Sequence, residues 1–219
     1  DEDHSFVPRW RPPFVTALSA EDRCHLNGMA VDGGEVRYVT AMGETDTPGG
    51  WRERKVDGGV VIDVASGEAV VRGLSMPHSP RVHDGALWVL SSGHGRVCRV
   101  DPVDGSLQVV AELPGFTRGL AFAGPLAFVG LSQVREDVFG GIPLADRLDE
   151  SQRECGVWVL DTRTGATVGF LRFEGIVQEL FDVQVLAGVR WPEMAETSSE
   201  LTASSFVVPD DAVADVPRG

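Results

Sequence analysis

The sequence predicts an all-β protein, a β-propeller of four-stranded antiparallel blades. Three observations predict it: one hairpin pattern occurs three times, a second pair of strands accompanies each hairpin, and the spacing is close to that of propeller blades. Units of four strands and about 40–45 residues are typical of such blades. An antiparallel sandwich is the alternative, since its strands also alternate with turns. The same four-strand order three times favours the propeller.

The outer hairpins are predicted by three apolar runs that each end in an Asp-x-x-x-Gly turn. Aspartate can hydrogen-bond the backbone of its own turn, and glycine adopts the positive φ angle that a tight hairpin requires. The predicted strand pairs are 60–62 with 69–71, 97–100 with 107–110, and 157–160 with 167–171. The turns begin at Asp63, Asp101 and Asp161, and this recurrence indicates turn formers and not catalytic residues.

The inner strands are predicted by segments that begin with polar residues and become apolar. These segments are 27–31, 79–83, 118–122 and 179–183, and the first three are followed by further strands at 36–39, 86–90 and 126–129. Insertions at 43–57 and 132–154 both fall between the second and third strands of a blade. We expect them to overhang the face where the inner strands begin, and loops on a rigid scaffold often carry function.

The two ends of the repeat predict partial blades. Residues 6–14 are interpreted as the outer strand of a preceding blade, and residues 177–186 as the inner strand of a following one. About three blades and two partial ones cannot close a ring, so we expect an N-terminal segment or another chain to supply the missing blades. A short helical turn is expected near 19–23, capped by Ser19. The domain prediction is a partial propeller over 1–190 and an acidic, loosely attached tail over 191–219.

Charge and cysteine content exclude several classes of function. The net charge is −14, which argues against nucleic-acid and anionic-membrane partners, because both require clustered positive charge. No apolar run approaches the ~20 residues that span a bilayer. The three cysteines lack metal-site spacing and are expected to be free thiols of a cytoplasmic protein.

Four segments resemble a family of bacterial conserved hypothetical proteins that are propeller-like and have no settled activity. The segments are RCHLNG (23–28), DGGVV (57–61), LSMPHSPR (74–81) and LPGFTRGL (113–120). The resemblance covers about residues 5–191 and implies the C-terminal part of a longer propeller. More distantly, the architecture is similar to gluconolactonase and regucalcin-like propellers, which hold one divalent metal in the axial funnel. That similarity lies at the level of the fold.

A candidate site follows from aligning the inner strands. The alignment places Asn27, Ser79, Arg118 and Glu179 at equivalent positions, which in a propeller form a ring around the channel. His25 and His78 are expected just above this ring. These six residues are predicted to bind a ligand, and the alternative is that they line a water-filled channel.

A metal is a second possibility at the same ring. Asn27 and Glu179, with Asp182, offer the oxygen ligands that Ca²⁺ or Mg²⁺ prefers. Arg118 counts against a cation, because its guanidinium is always charged. A pair formed by Arg118 and Glu179 could instead bind a carboxylate or an amide.

Three functions therefore remain open from the sequence. The first is a binding module that recognises a small molecule or a peptide at the polar axial site. The second is a metal-dependent, lactonase-like hydrolase, in which the metal polarises a carbonyl and activates water. The third is a scaffold that pairs with other chains through its outer strands. Whether the protein is an enzyme is left open.

Overall fold

The structure, a computed structural model, describes residues 3–5, 7–133, 140–190, 192, 194–204 and 209. The chain divides into two compact units, Asp1–Val185 and Leu186–Gly219. In the described residues, all strands lie in the first unit. The second unit has a short helix, Glu200–Ala203, at whose start the Ser199 hydroxyl accepts a hydrogen bond from the backbone N–H of Thr202 (3.2 Å).

In the described residues, twelve strands form three antiparallel sheets of four consecutive strands each, as the sequence predicts. We call the sheets blades 1, 2 and 3. Blade 1 contains β1 (Leu26–Asp32), β2 (Glu35–Ala41), β3 (Gly59–Asp63) and β4 (Ala69–Leu74). Blade 2 contains β5 (Pro77–His83), β6 (Ala86–Ser91), β7 (Arg96–Val100) and β8 (Leu107–Glu112). Blade 3 contains β9 (Phe116–Ala123), β10 (Leu126–Ser132), β11 (Gly156–Asp161) and β12 (Thr167–Arg172). The all-β fold of four-stranded blades is confirmed.

The three outer hairpins close as the repeated turn pattern predicts. In each turn, the aspartate Oδ1 accepts a hydrogen bond from a backbone N–H two or three residues later, at 2.8–2.9 Å, for Asp63, Asp101 and Asp161. The registers pair Val61 with Val71 and Trp158 with Phe170. A local signal, readable from a few residues, therefore sets each outer hairpin.

Neighbouring blades bury their apolar faces against each other. Tyr38 and Val61 of blade 1 share a buried cluster with Val89 and Cys98 of blade 2. The other face of blade 2, including Trp88, packs with blade 3 in a second cluster. Burying a side chain of this size contributes about 1.5–3 kcal/mol. Burial also raises the pKa of the Cys98 thiol to about 11, and Cys24, Cys98 and Cys155 are all free and buried.

The two insertions fold over the same end of the blades. The first contains a 3-10 helix, Gly50–Arg54, and the second contains a short helix, Pro143–Arg147, and a 3-10 turn, Glu150–Gln152; residues 134–139 lie outside the described residues. The Lys55 ammonium of the first insertion donates a hydrogen bond to the Gly140 carbonyl of the second. Their apolar side chains share one buried cluster, whose members are Met42, Trp51, Met76, Phe116, Ile142 and Leu144.

Three predicted elements are wrong. Residues 7–14 form no strand, because prolines at 8, 12 and 13 remove backbone donors, and Trp10 and Phe14 instead pack on blade 1 beside Val39 and Ile62. Residues 19–23 contain bends and no helix. Residues 177–186 form no strand: in the described residues, one backbone hydrogen bond, from the Gln133 N–H to the Gln178 carbonyl (2.9 Å), and the Ser132 side chain tie them to the end of β10, without a ladder. Among the described residues, no helix has the length and apolar character that a membrane crossing requires.

Candidate functional site

The inner strands β1, β5 and β9 lie side by side, and each carries a β-bulge near its start. A bulge inserts one extra residue and re-aims the neighbouring side chains. Asn27, His78 and Arg118 each lie five residues before the last residue of their strand, which makes them equivalent. We call these three residues the inner row. Ser79, which the sequence alignment placed in this row, is instead equivalent to Gly28 and Gly119, because the position of a bulge cannot be read from the sequence.

A pocket of about 1140 Å³ opens beside the inner row. Four of the six predicted site residues line it: Asn27, His78, Ser79 and Arg118. His25 and Glu179 do not line it. The remaining wall is largely apolar and includes Leu26, Met29, Val31 and Phe181.

Asn27 and Ser79 connect neighbouring blades. The Asn27 amide donates to the Pro77 carbonyl of blade 2 (2.9 Å), and its oxygen accepts from the Thr40 hydroxyl (2.7 Å). The Gly119 N–H of blade 3 donates to the Ser79 hydroxyl oxygen (3.0 Å). These two predicted binding residues therefore also hold the inner strands in position.

Two buried threonines of the inner hairpins should respond oppositely to replacement by valine. Thr40 and Thr117 are both 0% exposed, but the Thr40 hydroxyl bonds Asn27, whereas the Thr117 hydroxyl has no hydrogen-bond partner in the described residues. We expect Thr40→Val to lower the free energy of unfolding by about 1–2 kcal/mol and Thr117→Val to raise it by about 1 kcal/mol. Urea unfolding of both variants measures this, and a loss of stability in Thr117→Val would contradict it.

His78 is a buried, neutral histidine. The residue is 6% exposed. Its Nδ1 lies 3.0 Å from the Met76 carbonyl oxygen and 3.0 Å from the Ser92 hydroxyl. A carbonyl oxygen only accepts, so Nδ1 carries the proton and Nε2 is an acceptor. Burial, followed by the charge of Arg118, lowers the pKa of His78 to about 4. The imidazole therefore stays uncharged at neutral pH.

Arg118 is half-buried, and Phe181 supports its guanidinium. The Arg118 Cζ lies 4.5 Å from the centroid of the Phe181 ring. Burial lowers the pKa of Arg118, and the charge of Glu179 acts in the opposite direction. In the part of the chain that the structure describes, the Arg118 guanidinium forms no ion pair and no hydrogen bond.

The segment 178–184 brings Phe181 and Asp182 to the pocket where the sequence predicted Glu179. The Ser132 hydroxyl donates to the Leu180 carbonyl (3.1 Å) and accepts from its N–H (2.8 Å), which fixes the segment beside blade 3. Asp182 then lies 3.4 Å from the Arg81 guanidinium. Glu179 is exposed and acts on Arg118 only through its charge. Sequence reasoning missed Phe181, although an aromatic residue two positions from a predicted site residue was a signal.

His25 belongs to a hydrogen-bonded group under the first insertion. The two Asp22 carboxylate oxygens contact His25 Nδ1 (2.8 Å) and Trp51 Nε1 (2.8 Å). The rings of His25 and Trp51 lie 4.7 Å apart. His25 is close enough for its charge to lower the pKa of His78. The sequence placed His25 and His78 together above the ring, whereas the structure has His78 in the inner row and His25 outside the pocket lining.

Backbone strain concentrates at this end of the blades. Asp22, His25, Met76 and Ser79 have φ angles of 50°, 51°, 46° and 51°. Non-glycine residues rarely adopt such angles, which cost about 1–3 kcal/mol each and cluster at functional sites. Three of these residues belong to the site or contact it directly: His25 and Ser79 are predicted site residues, and Met76 accepts the His78 hydrogen bond.

The two residues predicted to bind Ca²⁺ or Mg²⁺, Asn27 and Glu179, do not both line the pocket. The Asn27 oxygen accepts from Thr40, and Glu179 lies outside the pocket lining. Among the described residues, no group of three His, Cys, Asp or Glu side chains is arranged to hold a metal ion. A divalent cation at this site stays a prediction.

The blades and the pocket define a protein of the β-propeller type with a pocket beside its inner strands. The chain belongs to the family described as a domain of unknown function (DUF4915), whose model matches residues 1–195. This confirms the expected family without a settled activity. No curated protein matches the chain.

Solved structures with similar folds have low sequence identity to the chain. The computationally designed Ika4 protein is 16% identical with a TM-score of 0.44, over 74% of this chain and 79% of that one. The designed Ika8 protein is 15% identical with a TM-score of 0.40, over 74% of this chain and 40% of that one. XC5397 from Xanthomonas campestris, described as a gluconolactonase, is 22% identical with a TM-score of 0.44, over 74% of this chain and 53% of that one.

Proposed function

We propose that this chain is a β-propeller binding module whose pocket takes a small molecule or a peptide. The observation that carries the proposal is the half-buried Arg118, which lines a cavity of about 1140 Å³ and whose guanidinium forms no hydrogen bond and no ion pair among the described residues. Removing a cation from water is costly unless an opposite charge compensates it. A ligand that contacts Arg118 would supply the compensation.

The surroundings of the pocket favour binding over simple channel lining. Binding pockets are mostly apolar with a few polar groups that fix orientation, and Arg118 and His78 are such groups beside Met29 and Phe181. Both polar groups are held in place, Arg118 by the Phe181 ring and His78 by Met76 and Ser92. Groups held in this way lose little conformational entropy when a ligand binds.

A metal-dependent, lactonase-like hydrolase has weaker support. Its cation would need oxygen ligands near Asn27, and one carboxylate of the pocket lining, Asp182, already contacts Arg81. His25, whose Nδ1 contacts Asp22, does not line the pocket, so it adds no general base for a ligand bound there.

Further blades are proposed to pack on blade 3. Large apolar side chains outside the pocket lining stay exposed there: Phe170 and Leu171 are 65% and 58% exposed. Exposed apolar surface of this kind marks sites of association. This supports the expectation that other blades complete the ring.

The binding function is tested by filling the pocket. Met29→Trp adds bulk to a side chain that lines the cavity, and Val168→Trp adds the same bulk at a similarly exposed position (57%) on β12, outside the lining. A set of small metabolite-like compounds and tripeptides is screened against the full chain by ligand-observed NMR. We expect compounds that bind the wild type and Val168→Trp but not Met29→Trp. Absence of any binder, or equal binding to both variants, would overturn the proposal.

A further inference from the structure

We propose that the ligand of this pocket is a small organic acid with a hydroxyl group next to its carboxylate and an apolar group beyond it. This inference rests on the proposed binding function and names the class of ligand. It follows from what Arg118, His78 and the apolar wall can each recognise.

The pocket is more basic than the rest of the protein. Among the described residues, three arginines, Arg9, Arg81 and Arg118, line it against two carboxylates, Glu35 and Asp182, whereas the whole chain has a net charge of −14. A local excess of positive charge in a cleft attracts anions and raises their local concentration. The lining therefore favours an anionic ligand.

Arg118 is the half-buried cation of the lining that is available to that anion, whereas Arg9 is exposed. Arg81 is engaged, because it donates to the Pro80 carbonyl (2.9 Å) and lies 3.4 Å from Asp182. The Arg118 guanidinium lies over the Phe181 ring, and its N–H groups form no hydrogen bond among the described residues, so they can donate to a ligand. These coplanar donors match the two oxygens of a carboxylate. The geometry thus favours a carboxylate at Arg118.

His78 requires a hydrogen-bond donor on the ligand. Its Nδ1 donates to the Met76 carbonyl, so its Nε2 can only accept, and Nε2 forms no hydrogen bond in the described residues. A carboxylate oxygen cannot donate to it. Because His78 and Arg118 occupy equivalent positions on adjacent strands, the donor belongs next to the carboxylate. A hydroxyl group satisfies this requirement.

The remaining wall fits an apolar group. Leu26, Met29, Val31 and Phe181 line the pocket with exposed fractions of 45%, 59%, 53% and 65%. Covering such side chains with an apolar ligand group is favourable by about 25 cal/mol per Å² of buried area. The three parts of the pocket together define an apolar hydroxy acid.

Three probes of the same size separate these contributions. They are 3-phenyllactate, which has both groups, 3-phenylpropionate, which lacks the hydroxyl, and 3-phenyllactamide, which lacks the charge. Dissociation constants are measured by NMR titration of the full chain. We expect 3-phenyllactate to bind about tenfold or more tightly than the amide and about threefold to tenfold more tightly than 3-phenylpropionate. Arg118→Gln should abolish the preference for the acid, and Arg99→Gln, at an exposed arginine of β7, should preserve it.

The outcomes distinguish the ligand class from the binding function. Equal binding of acid and amide, or an acid preference that survives Arg118→Gln, would overturn the hydroxy-acid inference. The hydroxy-acid inference would also be wrong if none of the three probes binds while other compounds bind the wild type but not Met29→Trp. That result would leave the binding function in place. If no compound binds in that manner, the binding function itself is wrong, and the inference falls with it.

Discussion

Acidification from pH 7 to pH 4 should destabilise the folded chain by on the order of 3 kcal/mol through His78 alone. The pKa of His78 is lowered from 6.5 to about 4, chiefly by burial. Between these values the unfolded chain binds a proton that the folded chain does not. The stabilisation is therefore fully present above pH 6.5 and is lost as the pH falls towards 4.

The measurement is urea unfolding at several pH values between 4 and 7.5, on the wild type, His78→Gln and the control His4→Gln. Lowering the pH also protonates carboxylates and His94, whose pKa is lowered in the same direction by burial. The part of the pH dependence of the unfolding free energy that is lost in His78→Gln is the contribution of His78. Identical slopes in the wild type and His78→Gln would show that His78 is protonated in the folded chain.

Replacing Gly119 by alanine should detach the segment 178–184 from blade 3. Gly119 has a φ angle of 85°, and a Cβ there would lie 2.6 Å from the Val183 backbone nitrogen and 2.7 Å from the Asp182 carbonyl carbon. The backbone angle costs an alanine about 1–2 kcal/mol, and the overlap costs about 1–3 kcal/mol more. Since this segment carries Phe181, Arg118 should lose its aromatic support, and acid binding should weaken.

The matched control is Gly34→Ala. Gly34 has nearly the same φ angle, 87°, but a Cβ there would meet nothing within 4 Å. Unfolding free energies of the two variants therefore separate backbone strain from steric overlap, and limited proteolysis reports whether residues 178–184 become accessible. Equal losses of stability with unchanged proteolysis would show that the segment does not depend on close approach to Gly119.

Local patterns made much of the fold predictable. The turns at Asp63, Asp101 and Asp161 are set by residues within five positions, and the alternation of side chains defines the strands around them. The segment 177–186 was different. Its apolar character suits a strand, but the described hydrogen bonds hold it to Ser132, almost fifty positions away, and to the neighbouring Gln133. Such non-local pairing leaves no trace in the segment itself.

The site was predictable in its location but less so in its parts. Asn27 and Arg118 were correctly assigned to the inner strands, because polar residues stand out at the start of apolar segments, whereas His78 was expected just above them. The bulges shift the register by one residue, so His78, and not Ser79, occupies the inner row of blade 2. Charge alone suggested Glu179 as the partner of Arg118, whereas the structure supplies the face of Phe181. Stacking on an aromatic ring depends on orientation, which composition does not encode.

The shared cluster of the two insertions has a mechanical consequence. The first insertion starts from blade 1 and the second from blade 3, so Trp51, Ile142 and Leu144 join the outermost blades of the array across blade 2, which has no insertion. These contacts between the insertions restrain the distance between blades 1 and 3 against thermal fluctuation. The span between blades 1 and 3, and with it the spacing of Asn27 and Arg118, is thereby held by apolar contacts that lie outside the blade interfaces.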